Sequence, residues 1–158
     1  MRSTKGFSLI ELLIVVAIIL IIAAIAVPSF LHSRMAANES AAVATIRTLN
    51  TAQISYSSAY PSVGYSSTMS ALAGTTCTPP SSSGACLIDT ALAAGQKSGY
   101  SFTLSNVTGT PNSTYNVIAA PILANYSGTR YFCSFADAVV RYSMASITTC
   151  DGTVTPQN

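Results

Sequence analysis

Charge is what this chain lacks most. Lys, Arg, Asp and Glu together make up 8% of its 158 residues, against roughly 25% in an ordinary soluble domain. Trp is absent and there is one histidine, His32. That histidine follows directly on an apolar run, where a helix surface or interface is its expected place rather than the role of a catalytic base. No GxxxxGK(S/T) phosphate loop, HExxH pair or GxSxG elbow occurs, so the common signatures of nucleotide, zinc-protease and hydrolase chemistry are missing. The chain is expected to be neither an enzyme nor the holder of a metal or cofactor. Nor is there a basic stripe, and the tyrosines are not interleaved with Lys or Arg, which argues against a nucleic-acid partner. Low charge with eight Tyr and five Phe also excludes the composition of a disordered tail.

Cysteine is sparse but patterned. All four cysteines lie beyond residue 76, which points to an oxidising compartment for that part of the chain. Their spacings match no common zinc pattern. Three disulfide connectivities exist for four cysteines; Cys77–Cys86 with Cys133–Cys150 is the favoured one because each bond closes a local loop. Four Asn-x-Ser/Thr triplets, at Asn38, Asn106, Asn112 and Asn125, are ordinary in so Ser/Thr-rich a chain.

The missing charge leaves room for one long apolar run, FSLIELLIVVAIILIIAAIAV from Phe7 to Val27, with Glu11 as its sole formal charge. About 20 such residues cross a hydrocarbon core of roughly 30 Å. Arg2 and Lys5 precede the run, which puts the N-terminus on the cytoplasmic side and the bulk of the chain outside. A secretory signal peptide, an uncleaved signal anchor or a buried core helix would each account for part of this. None explains a carboxylate at the fifth position of the run, where it is costly in lipid unless paired or interfacial.

Pro28 closes the run and is expected to kink a helix that continues past it. Downstream, Ile46, Leu49, Gln53, Tyr56 and Tyr60 recur at three- and four-residue steps, with Ala42, Ala52 and Ala59 near the same face. The spacing predicts one helix from about Phe7 to Tyr60, roughly 80 Å long at 1.5 Å per residue. Pro61 ends it. Residues 62–99 read mainly as loop with a short helical piece near Asp89–Ala94. Alternation then marks strands around Tyr100–Ser105 and Tyr115–Ala119, with Gly109, Pro111 and Asn112 between them as a turn. Further strands are expected at Arg130–Phe135 and Ala138–Ser143, and a last edge at Ile147–Thr149. The predicted fold class is α+β, a long helix packed on a small antiparallel sheet.

The stretch Gly6-Phe7-Ser8-Leu9-Ile10-Glu11-Leu12-Leu13-Ile14-Val15-Val16-Ala17-Ile18-Ile19, extending in character to Pro28, resembles the class III signal peptide of type IV pilins and of the pseudopilins of type II secretion systems. The resemblance covers about one-fifth of the chain. It implies a prepilin peptidase cutting between Gly6 and Phe7, methylation of the new Phe7 amine, and a role for Glu11 in registering the subunit within a filament. It implies a leader at 1–6, a membrane and filament-core helix at 7–28, an amphipathic continuation at 29–60 and a periplasmic or extracellular head at 61–158. Removing Arg2 and Lys5 would leave basic and acidic side chains equal in number, a balance suited to packing against many copies of itself.

Cys133–Cys150 is similar in position to the disulfide-bounded C-terminal region of many pilins, and residues 127–133 with 139–142 to their final hairpin. The acidic calcium loop of major pseudopilins is not evident, since the C-terminal region holds only Asp137 and Asp151. The expected function is that of a pilin, anchored in the bacterial inner membrane before assembly and partnered by prepilin peptidase, further pilins and the inner-membrane assembly platform. A type II secretion pseudopilin and a monomeric membrane-anchored binding module are the alternatives.

Overall fold

The computed structural model describes residues 6–74, 77 and 79–157, which fall into two compact units, one reaching to Arg34 and the other beginning at Met35. Helix α1, Leu9–Ala59, starts in the first and continues into the second. Within the first unit every large apolar side chain from Phe7 to Phe30 is exposed, from 46% at Val16 to 81% at Leu9. Nothing among the described residues covers them, so helix formation here rests on local terms: Leu and Ala positions of good propensity among the β-branched Ile and Val and a capped N-terminus. Pro28 lies inside the helix. It has no N–H to offer the Ala24 carbonyl, yet the turns on either side carry the helix through.

In the second unit α1 buries Ala42, Ile46, Leu49, Ala52, Gln53 and Tyr56, the three- and four-residue steps of one helical face. Tyr60 is half-buried, and Ala59 is exposed rather than on that face. Pro61 follows and the helix stops two residues before it, as the pre-proline position disfavours helical backbone. Two short helices occupy the connection to the sheet: α2, Met69–Ala73, capped by Thr68, and α3, Thr90–Ala93, capped by Asp89. The second was expected. The first was not, because five residues are too few to show a period.

The sheet has six antiparallel strands in sequential order: β1 Gln96–Lys97, β2 Tyr100–Gly109, β3 Asn112–Pro121, β4 Tyr131–Phe135, β5 Arg141–Ser143 and β6 Thr155–Pro156. Side-chain alternation gives it two different faces. Tyr100, Phe102, Tyr115, Val117, Ala119 and Phe132 pack with the buried face of α1. Ile118, Cys133 and Cys150 form a small cluster of their own with Phe135, Ile147 and Val154. The Cys133–Cys150 disulfide spans 5.8 Å between Cα atoms, and a second, Cys77–Cys86, spans 5.7 Å.

The expected edge strand at Ile147–Thr149 is not formed. Thr155–Pro156 pairs with β5 instead, and Ile147 turns onto the disulfide cluster. The preceding strand is also shorter than expected, Arg141–Ser143 in place of Ala138–Ser143, since Ala136 and Asp137 form the turn and Ala138, directly after it, takes a φ of 58°.

Buried polar side chains lock helix to sheet. Asn50 Nδ2 donates to Ser134 Oγ at 2.9 Å and to the Ala138 carbonyl at 3.2 Å, and the Tyr115 hydroxyl donates to Asn50 Oδ1 at 3.2 Å. Gln53 exchanges two bonds with the Ser66 backbone, at 3.0 and 2.8 Å. Each group is satisfied, so burial costs little, whereas a slip of the helix would strand all of them.

Candidate assembly site

Of the expected leader, residues 1–5 lie outside the described residues. Gly6 and Phe7 precede the helix and have no regular structure, and both are exposed. A Cβ added to Gly6 would meet nothing within 4 Å, so no packing within this chain requires glycine there. The Gly6–Phe7 peptide is thus an accessible bond ahead of the helix. Phe7 is 80% exposed.

Ser8 occupies the position before the first helical residue, and Glu11 lies three further on. The Ser8 backbone N–H donates to Glu11 Oε2 at 2.9 Å, one half of the reciprocal capping box that Ser-x-x-Glu forms at helix starts. The carboxylate also sits at the positive end of the helix dipole. Its other oxygen has no hydrogen-bond partner among the described residues. The structure therefore brings Ser8 and Glu11 together at the mouth of the apolar helix, one turn from the residue whose amine a cut after Gly6 would expose. The Ser8–Glu11 contact was overlooked in the sequence, although Ser-x-x-Glu ahead of an apolar run is its signature.

A second carboxylate, Glu39, has the densest hydrogen bonding of any acidic group among the described residues. It lies on the buried face of α1 at 6% exposure. The Thr129 N–H and hydroxyl donate to Oε1 at 2.8 and 2.9 Å, the Arg130 N–H donates to the same oxygen at 3.2 Å, and Arg130 Nε donates to Oε2 at 2.7 Å. Burial alone would raise this carboxyl, but the Thr129 and Arg130 donors outweigh it and hold it below the ordinary carboxylate value. Sequence reasoning gave Glu39 no role. Its offset of three from Ala42 and seven from Ile46 is the signal that puts it on the packed face.

The remaining ion pairs among the described residues are Arg141–Asp137 at 2.6 Å and Lys97–Asp89 at 3.0 Å. Asp137 gives both its oxygens to Arg141. Burial by itself raises Asp137, and the Arg141 bonds, the Val139 N–H and the Arg141 charge together more than reverse this, leaving it lowered. No group of three His, Cys, Asp or Glu side chains capable of holding a metal ion occurs among the described residues.

Residues 1–27 match the family model described as the prokaryotic N-terminal methylation motif. The chain is 54% identical over 44 residues to the type IV wide pilus major component PilA4 of Thermus thermophilus, a stretch covering 28% of this chain and 34% of that one. It is 50% identical over 52 residues to the type IV major pilin protein PilA of Myxococcus xanthus, covering 33% of this chain and 24% of that one. The matched stretches thus span about a third and about a quarter of those relatives. No solved structure matches the chain. Over its N-terminal third the chain is thus similar to type IV pilins, with a prepilin-type signal heading a long apolar helix that leads into an antiparallel sheet.

Proposed function

We propose that this chain is a structural subunit of a type IV pilus-like filament. The observation that carries the reading is the first unit: a helix apolar enough to cross a membrane, with no residue of its most apolar window buried, behind a methylation-type signal. Such a surface is stable only in lipid or against other apolar helices. A subunit that passes from bilayer to filament meets both conditions with one element. Both matched relatives are named as pilus components, which favours a pilus over a secretion machine.

On this reading prepilin peptidase removes residues 1–6 and methylates the Phe7 amine. Residues 7–28 span the inner membrane, with the N-terminus cytoplasmic, and then become filament core. Residues 29–60 continue the helix into a head at 61–158. Pro28 supplies a local break in hydrogen bonding where bending is easiest. Glu11 exchanges the Ser8 N–H for the amine of a neighbouring Phe7 as the subunit enters the filament, guided by the assembly platform. Bringing those opposite charges together in apolar surroundings offsets the cost of burying each, and any axial slip would strand both.

Intact-mass and N-terminal peptide spectrometry on filaments from the native host tests the reading. A chain beginning at methylated Phe7 is expected. A chain in the membrane fraction that retains Met1, with no filament containing it, would overturn it.

A further inference from the structure

The second unit carries eight charged side chains. Six are matched within it, Glu39 with Arg130, Asp89 with Lys97 and Asp137 with Arg141. The two left over, Arg47 and Asp151, are opposite in sign. Among the described residues neither forms an ion pair, with the other or with any third group, and both are exposed. In a chain so poor in charge, electrostatic recognition of a partner concentrates on such unmatched groups.

Arg47 lines a cleft of about 240 Å³ on the helix side of the sheet, with Glu39, Val43, Arg130, Phe132 and Gln157 around it. Glu39 holds Arg130 Nε at 2.7 Å, but the two Nη groups of Arg130 donate to nothing among the described residues. Two guanidinium groups against one carboxylate leave the cleft net positive. Their unused N–H donors have the planar fork that suits a second carboxylate. Gln157 Oε1 is buried without a donor among the described residues, so the cleft can also accept an N–H from an incoming peptide.

Asp151 is presented from the other side. It follows Cys150, which is buried and bonded to Cys133 in the cluster on the outer face of the sheet. Asn116 Nδ2 donates to the Cys150 carbonyl at 3.2 Å. The Thr153 N–H and hydroxyl donate to Asp151 Oδ1 at 2.8 and 2.5 Å, while Oδ2 accepts nothing among the described residues. The carboxylate thus stands on a fixed loop with one oxygen unused, so little order remains to be imposed when a partner engages it.

We propose that Asp151 of one copy enters the Arg47–Arg130 cleft of the next, as a contact between neighbouring subunits. The proposal rests on the reading of the chain as a filament subunit. Cleft and carboxylate lie on opposite sides of the sheet, so one contact leaves a cleft open on one copy and a carboxylate unused on the other. Such a heterologous contact repeats from copy to copy instead of closing a two-fold dimer. A lone exposed ion pair contributes little. Here the cleft shields the pair, the contact recurs at every subunit, and a wrong register leaves both charges unmatched.

Charge exchange in the full chain, expressed in its native host, tests the pairing. Arg47→Glu and Asp151→Lys are each expected to lower sheared-filament yield about fivefold or more, with leader-free subunit in the membrane unchanged. The double variant should return to within about twofold of the native yield, which a folding defect would not do. A second measurement keeps the loop native. In filaments of Arg47→Lys, a carbodiimide should join Lys at position 47 to Asp151 through an amide, with loss of water. The same treatment of unassembled subunit in micelles should give only the Lys97–Asp89 product, since that pair is 3.0 Å apart within the chain.

Unchanged yield in both single variants would overturn the pairing and leave the filament reading intact. A defect in Arg47→Glu alone would assign the cleft to another anion and overturn it as well. So would a 47–151 crosslink in unassembled subunit, because the pair would then be internal. Native-host filaments that lack the chain altogether would overturn the filament reading, and the pairing with it.

Discussion

Glu39 ties helix α1 to the Thr129–Arg130 segment ahead of β4. Its two oxygens accept four hydrogen bonds from Thr129 and Arg130, and the partners lie about ninety positions away in the chain. Glu39→Gln keeps the shape but removes the charge, leaving the Arg130 guanidinium without its counter-ion. A fully buried pair broken this way costs roughly 3–5 kcal/mol. Arg130 is one-third exposed and can recover some hydration, so about 2 kcal/mol is expected. The pH dependence has a definite sign. Because the folded carboxyl is held below its ordinary value, its contribution is fully present above the unfolded pKa of about 4.3 and is lost as pH falls through the folded value. Urea unfolding of the full chain in detergent micelles, followed by tyrosine near-ultraviolet dichroism, should show Glu39→Gln less stable at pH 7. The gap between the two proteins should close on acidification towards pH 3. A gap that stays constant between those pH values would mean that the carboxylate's charge contributes nothing.

At the scale of elements, what the sequence made legible depended on the range of the interactions involved. The apolar run from Phe7 to Val27 and the repeat of Ile46, Leu49, Gln53 and Tyr56 are local patterns, and they mark α1 to within a few residues of Leu9–Ala59. Alternation around Tyr100–Ser105 and Tyr115–Ala119 marks β2 and β3 for the same reason. The last edge was misread because Ile147-Thr148-Thr149 has strand composition, while the free edge of β5 is taken by Thr155–Pro156. Proline is tolerated there because an edge strand leaves N–H groups unpaired in any case. The Glu39 clamp was not legible, since nothing near residue 39 announces residues 129 and 130.

The two disulfides differ in the same respect of local against distant packing. Cys77 is exposed in the connection. Cys133 and Cys150 are 0% and 5% exposed and sit under Ile118 on the outer face of the sheet. Graded reduction with alkylation and peptide mass spectrometry should therefore open Cys77–Cys86 first. Loss of the Cys133–Cys150 crosslink, which closes the longer loop, should destabilise the head by roughly 3 kcal/mol. Simultaneous opening of both bonds would indicate that burial gives the second no protection.

For the whole molecule, the proposed function asks one helix to answer to two environments. In lipid, the exposed apolar side chains from Phe7 to Phe30 are satisfied, and Glu11 is the sole charge among them. Its bond to the Ser8 N–H at 2.9 Å gives it a local partner that neither requires nor excludes a second subunit. In a filament the same carboxylate would face the amine of a neighbour, a stronger and charge-assisted partner. The exchange is favourable only where that neighbour is in register. Glu11→Gln separates the two roles, since an amide oxygen can still accept the Ser8 N–H but cannot neutralise an amine. Expected is normal anchoring and normal removal of residues 1–6, with filament yield reduced tenfold or more, the effect of losing about 1.4 kcal/mol per incorporated subunit. Sheared-filament yield measured beside membrane-fraction levels of processed subunit reads both quantities at once. Unchanged filament yield would remove Glu11 from registration and leave it as a helix cap. Failure of leader removal would instead mean that the carboxylate is read by the peptidase before any filament is reached.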